Sequence, residues 1–265
     1  MKNAMRWTAL GLVVLAVTAL GAAPAAGQEE KDWSVDVGVD YSTLYMFRGL
    51  NLLGEDQEVL TPMVVATFGN FSAYYYGYYG KFDAFDDDGN PIGEGDYGEA
   101  DFGLDYTFSF GERFSLTLGG VGYWYDGETE SGLGFADTWE LYAIAAWDTV
   151  LAPTISYYQD LDAVEGGFLT LDLSHELALT ESVALNLMGQ IGFDFGYNQP
   201  GDPDAGIDES SADTNHYMLG GDFSITLTDR ISAHVMAQRF FALDIADELE
   251  QPDETVITAG ATVSF

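Results

Sequence analysis

The sequence predicts an all-β protein: a single antiparallel transmembrane β-barrel of about twelve strands. Three observations predict it. Twelve segments alternate apolar and polar residues with a period of two. The links between them alternate short and long. The last segment, 255–265, has one apolar and one polar face, and closure into a barrel removes the exposed edge that such a strand would otherwise present.

Taken in order, residues 1–27 read as a secretory signal peptide. Lys2 and Arg6 precede the apolar run Trp7 to Leu20, and small residues follow from Ala22 to Gly27. The run is short and wrongly flanked for a spanning helix. Residues 28–265 are then the exported barrel, with no cysteine to carry a lipid or a thiolate metal site.

The alternating segments are 33–47, 58–69, 71–82, 98–110, 113–125, 138–147, 151–161, 167–180, 183–197, 215–228, 231–244 and 255–265. Each has roughly the 9–11 residues, or a little more, that a tilted strand needs to cross a bilayer. In 98–110, Phe102, Leu104, Tyr106, Phe108 and Phe110 oppose Asp101, Asp105, Thr107 and Ser109. A soluble sandwich alternates too, so the links carry the distinction. Tight turns fall at 69–70, 111–112, 148–149, 181–182 and 229–230. Longer links fall at 48–57, 83–97, 126–137, 198–214 and 245–254, and the link at 162–166 is the short exception. Short periplasmic turns opposite long external loops produce this rhythm.

Aromatics form two bands. Trp33, Phe71, Phe110, Phe114 and Trp147 lie toward the turns; Tyr45, Phe47, Tyr123, Trp124, Tyr125, Trp139 and Tyr197 lie toward the loops. Two girdles of amphipathic rings fit two membrane interfaces.

The chain has 8 Lys and Arg against 44 Asp and Glu, a net charge of −36. That excludes nucleic acid as a partner, because phosphate contacts need a basic surface. With the apolar parity toward lipid, the lumen-facing set is acidic: Asp36, Asp40, Asp101, Asp105, Glu140, Asp160, Asp172, Glu176, Asp194 and Asp222. Unpaired carboxylates need a hydrated lumen or bound cations, and an acidic pore favours cations. A solvated surface suited to a high-salt habitat would be equally acidic. Asp86 to Asn90 starts like a calcium loop but has Pro91 where the turn glycine belongs and Tyr97 at the twelfth position. Asp202, Asp204 and Asp208 form a second acidic loop. Solvated loop is the expectation for both, with no metal site and no cofactor. His175, His216 and His234 give no triad arrangement, so no catalytic residue is expected.

Two stretches carry resemblances. Thr258, Gly260, Val263 and Phe265 fill in order the polar, glycine, hydrophobic and aromatic positions of the C-terminal signal of bacterial outer-membrane barrels. That resemblance implies the barrel-assembly machinery and outer-membrane lipid as partners, and the outer membrane as location. Residues 41–62 resemble the first hairpin of the TorF-type porin family, through Tyr45, Phe47, Arg48, Gly49 and Pro62; Leu50-Asn51 departs from the Ser or Thr then Gln usual there. The family implies an outer-membrane barrel of porin function, without an established substrate.

The expected function is therefore a porin-like channel for passive diffusion of small solutes, with a preference for cations. The competing reading is a non-conducting barrel for envelope structure, adhesion or recognition, in which Tyr74, Tyr76 and Tyr78 project inward and narrow the lumen. Arg48, a lone cation among carboxylates, should find one and anchor the first loop at the rim.

Overall fold

The computed structural model describes residues 32–54, 56–85, 91–125, 136–198 and 212–265. The segment 1–27 and the acidic loops 86–90 and 202–208 lie outside the described residues. Twelve antiparallel strands close into one barrel: β1 (Trp33–Ser42), β4 (Val59–Phe68), β5 (Phe71–Phe85), β6 (Pro91–Phe110), β7 (Phe114–Tyr125), β8 (Thr138–Trp147), β9 (Thr154–Asp160), β10 (Gly167–Ala178), β11 (Val183–Phe195), β12 (Asp213–Thr228), β13 (Ile231–Ala242) and β14 (Glu254–Ser264). Every strand pairs with its sequence neighbour. The ends meet where Asp36 pairs with Ser264 and Ser42 with Thr258, and the Phe265 N–H donates to the Val35 carbonyl at 3.0 Å.

The register sets which parity is dry. On β6, Phe102 and Leu104 are 51% and 54% exposed, whereas Asp101 between its neighbours is 7% exposed. Outward side chains on β12 and β14 behave alike, with Leu219, Phe223 and Ile257 exposed. Soluble monomers rarely expose an apolar belt of this extent, and it fits a bilayer. Among the described residues no helix is long and apolar enough to cross a membrane. At the turn end the belt is edged by Phe110, Phe114 and Trp147, whose rings contact in series at 5.6 and 4.8 Å. Toward the loop end it is edged by Phe102, Trp124 and Trp139, at 5.4 and 4.9 Å.

Three expectations change. The first strand ends at Ser42, not at residue 47. Thr43 keeps the β14 ladder going, its N–H donating to the Ile257 carbonyl and its hydroxyl accepting from the Ile257 N–H, and then the chain turns into the barrel. Second, the link 83–97 is largely strand, because β5 and β6 extend to Phe85 and Pro91 as a long ribbon. Third, the loop-side aromatic band divides. Trp124 and Trp139 face outward, while Tyr45, Phe47, Tyr123, Tyr125 and Tyr197 point into the lumen. They pack on the first loop there, which period two alone cannot reveal.

That loop contains a two-stranded hairpin, β2 (Met46–Phe47) and β3 (Leu50–Asn51). Its two-residue turn is Arg48-Gly49, with φ of 49° and 81°. Positive φ at both central positions is the type I′ hairpin turn, whose twist suits two short strands and which favours glycine second. Around the hairpin lie three buried clusters. Tyr45, Leu53 and Val59 pack with Phe82 and Tyr97. Leu44 packs with Met218, Phe240 and Val256, and Met46 joins them. Phe47 packs against Val121, Tyr123 and Tyr142. The hairpin thus touches walls on several sides. Above it, a short helix α1 (Asp244–Glu248) buries Ile245 and Ala246, and the Gln251 side chain accepts from the Asn51 N–H at 3.0 Å. The loop half of the lumen is therefore a packed core.

Candidate functional site: the hairpin latch and the cavity beneath it

At the hairpin tip Arg48 donates two parallel hydrogen bonds to Glu140 on β8, Nη1 to Oε1 at 2.7 Å and Nη2 to Oε2 at 2.6 Å. The side chains are 8% and 0% exposed. The fork-to-fork geometry is the strongest that guanidinium and carboxylate make. The remaining lone pairs of Glu140 are also used: Tyr197 donates to Oε1 at 2.6 Å and Tyr123 to Oε2 at 2.9 Å. The guanidinium lies over four rings, with its carbon 3.8 Å from the Tyr197 centroid, 4.8 Å from Phe47 and Tyr158, and 5.5 Å from Phe168. Burial disfavours the charge on Arg48, but the Tyr197 oxygen and the Glu140 carboxylate outweigh it, and its pKa is raised. Arg48 is therefore buried inside the loop end of the barrel, paired with a carboxylate near the start of β8.

Several elements converge to place these groups. Asp194 at the end of β11 accepts from the N–H groups of Tyr197 and Asn198 at 2.7 and 2.9 Å, and Gly196 between them has a φ of 81°. This turn directs Tyr197 back into the barrel. Asp160 likewise ties down the link between β9 and β10, accepting from the N–H groups of Asp162, Val164 and Glu165 and from the Thr138 hydroxyl. Both acids face inward, yet they tie down loops and do not line open pore. The Gly49 position abuts β12: a Cβ there would collide with the Asn215 and His216 side chains, and His216 is itself wedged between Asn215 and Gln190 at 2.8 and 2.9 Å. Gly49→Ala combines that collision with an unfavourable φ. It is expected to cost about 1–3 kcal/mol, read as a lowered urea midpoint for the folded barrel.

Below the latch lies a cavity of about 830 Å³. Its wall carries Tyr74, Tyr76 and Tyr78 from β5, Tyr142 from β8 and Tyr158 from β9, together with Asp101, Asp105 and Asp172. Tyr74, Tyr76 and Tyr78 do project inward. Gly103 and Gly119 make room for two of the rings, because a Cβ at either would fall within the ring of Tyr74 or Tyr142. Each ring therefore lies flat on a strand beside a glycine and turns a face to the lumen. Tyr74 donates to Tyr142 at 3.2 Å, and Tyr142 to Asp105 at 3.0 Å. Asp172 accepts from Thr170 at 2.7 Å and from Gln190 at 2.6 Å.

Closer to the turns the inward positions are mixed: Val65 and Ile144 are apolar, while Ser72, Thr107, Ser109 and Ser115 are small and polar and keep solvent exposure. Asp36 accepts from Ser264 at 2.6 Å. Asp40 reaches across Gly260 to within 3.8 Å of His234, and a Cβ on Gly260 would strike its carboxylate. Asp222 also faces this part of the lumen, and Glu176 lies exposed near the turns. The acids expected to line the lumen therefore fall into two groups. Glu140, Asp160 and Asp194 are built into the closed loop half. Asp36, Asp40, Asp105, Asp172, Glu176 and Asp222 face the turn half, and Asp101 lies at the boundary. Among the described residues no group of three or more His, Asp or Glu could hold a metal ion.

Sequence reasoning missed Phe47, Tyr158, Phe168 and Tyr197 as the box around Arg48, and Tyr123 as a donor to Glu140. The Arg-Gly dipeptide between short β-prone pairs does signal a hairpin, but nothing local says that it turns inward.

No family model and no curated protein matches this chain. Solved structures do. The chain is similar to the KdgM porin (11% identity, covering 88% of this chain and 99% of that one, TM-score 0.53). It is also similar to the NanC porin (11%, 86% and 98%, 0.54) and to an outer membrane channel from Pseudomonas putida F1 (9%, 92% and 100%, 0.52). The fold is thus that of porin-like twelve-stranded barrels.

Proposed function

We infer that this chain is a bacterial outer-membrane channel that is closed by its own first loop in the conformation described and passes small solutes, cations in preference, when the hairpin withdraws. The resemblance to TorF-type porins at 41–62 supports the same reading, as does the porin-like fold. On this reading 1–27 is removed on export, and Thr258, Gly260, Val263 and Phe265 present the assembly signal. No catalytic residue or cofactor takes part. The observation that carries the reading is the contrast between the two halves of the lumen. The loop half is filled by one hairpin with a tip held by a single ion pair, while the turn half carries, beside apolar side chains such as Val65 and Ile144, carboxylates and hydroxyls that keep contact with water.

A planar bilayer with a salt gradient tests it. The full chain is expected to show voltage-dependent openings, with a reversal potential corresponding to about threefold or more permeability for K⁺ over Cl⁻. The preference should weaken as salt screens the carboxylates. Absence of any step sinks the channel reading; an anion-selective reversal potential sinks the acidic-lumen part.

A second reading is a non-conducting barrel for envelope structure or recognition. The full burial of Leu53, Phe168 and Ile245 in the loop half favours it. It predicts a silent bilayer at all voltages.

A further inference from the structure

We propose that the lumen wall formed by β11, β12 and β13 binds a soft monovalent metal ion, Cu⁺ or Ag⁺, through the thioethers of Met188 and Met218 and the side-chain amide of Gln238. Methionine is sorted by face in this barrel. The lipid-facing belt is built of leucine, valine and aromatic side chains, with Leu187, Leu219 and Val235 at 45%, 58% and 52% exposure. Met188, Met218 and Met236 stand next to these residues and take the opposite parity, toward the lumen. Met63 is inward on β4, where Leu60 and Phe68 are the exposed parity, and Met46 belongs to the hairpin. Among the described residues, then, no methionine faces lipid. A side chain chosen only as flexible apolar filler would serve on either face.

Three of the inward donors converge. Met188 and Gln238 pair with Gly220 from opposite sides. A Cβ on Gly220 would lie 3.1 Å from the Met188 Cγ and 3.0 Å from the Gln238 Cγ, so the two side chains close over the space that the glycine leaves. Met218 stands two residues along the same face. The Gln238 Nε2 donates to the Sδ atoms of Met188 and Met218, at 3.8 Å from each. Two thioethers on neighbouring strands thus turn lone pairs to one point, where an N–H group gains little from such weak acceptors. A soft cation at that point takes both sulfurs, and rotating the amide brings the Gln238 carbonyl oxygen to it as a third donor. Thioethers select Cu⁺ and its soft congeners, whereas Na⁺, Mg²⁺ and Ca²⁺ prefer the oxygens plentiful elsewhere in this chain. All three donors are neutral, which suits a single positive charge. Toward the turns β13 next presents Met236 and then His234, opposite Thr258 and Gly260, further donors for the same class of ion. This deepens the channel reading by naming a solute class, and it rests on that reading for the ion's passage but not for its binding.

The test is calorimetric titration of the full chain in non-ionic detergent with silver nitrate, in chloride-free buffer with excess magnesium nitrate to occupy the carboxylates. Ag⁺ is expected to bind with a Kd below about 0.1 mM. X-ray absorption at the silver edge should show sulfur neighbours, and since the chain has no cysteine that sulfur can only be methionine's. Met188→Leu with Met218→Leu keeps apolar volume and should lower the affinity at least about tenfold. No silver binding, a shell of nitrogen and oxygen alone, or unchanged affinity in the folded double variant overturns the proposal. The absorption measurement on the unaltered chain decides even where the variant folds poorly. Silver bound through sulfur by a barrel that stays silent in the bilayer supports the site and sinks only the channel reading.

Discussion

Replacing residues 43–58 by a two-residue Asn-Gly turn is expected to convert a mostly closed barrel into a continuously conducting one. Ser42 and Val59 are already paired across β1 and β4, so a type I′ turn can join them without moving either strand. The ladder from Trp33–Phe68 to Ser42–Val59 stays intact, and the barrel should still assemble. The deletion removes Arg48 and would leave Glu140 buried without its cation, so Glu140→Gln belongs in the same variant. Clearing the hairpin takes Tyr45, Phe47 and Leu53 out of the lumen and leaves their former partners, among them Phe82, Tyr97 and Val121, facing water. Mean current through reconstituted barrels should rise by at least about tenfold, since conduction is set by the narrowest segment. A folded variant that stays silent would show that α1 or another link closes the pore, and the hairpin would lose its role as the plug.

The second large effect is expected at the Arg48–Glu140 pair. Glu140→Ala leaves a guanidinium buried among rings with no anion, a loss of about 3–5 kcal/mol. Arg48→Ala leaves Glu140 with the Tyr123 and Tyr197 hydroxyls still donating, so its cost should be smaller, about 2–3 kcal/mol. The double change Arg48→Met with Glu140→Leu removes both charges and keeps apolar volume, and it should recover to within about 1–2 kcal/mol of the parent. Urea unfolding monitored by tryptophan fluorescence gives all three values. The bilayer adds a second readout, because Arg48→Ala should also raise the open probability. If both single variants unfold within about 1 kcal/mol of the parent, the ion pair is a passenger of the aromatic packing and no latch. Lower stability with unchanged conductance would leave Arg48 a structural role alone.

Much of the barrel was legible because its rules are local. Alternation at period two fixes which side chains share a face, and turn chemistry fixes where strands reverse. Hence the strand limits agree closely from 114 to 147, and Tyr74, Tyr76 and Tyr78 lie inward as their parity requires. The terminal strand pairs with the first because a closed sheet leaves no other edge for either. The errors arise where the chain leaves the ladder. Tyr45 and Phe47 look like a continuation of the first strand and a membrane girdle, since a lumen-filling ring and an interfacial ring have the same composition.

The candidate site divides the same way. That Arg48 needs a carboxylate follows from charge alone; which one does not, because many inward acids compete and the choice depends on where the hairpin tip comes to rest. Glu140 is selected by the depth of a type I′ turn that β12 limits at Gly49. Asp160 and Asp194 share the parity of lining acids, but the path of the following link converts them to caps for backbone N–H groups. By itself, then, the sequence determined the all-β class, the near-complete strand order, the wet and dry faces and an acidic interior, all consequences of neighbours along the chain. Whether that interior is open was decided by tertiary structure, because it depends on contacts among Arg48, Glu140, Tyr197 and their neighbours that lie far apart in sequence and meet only when the barrel closes around its first loop.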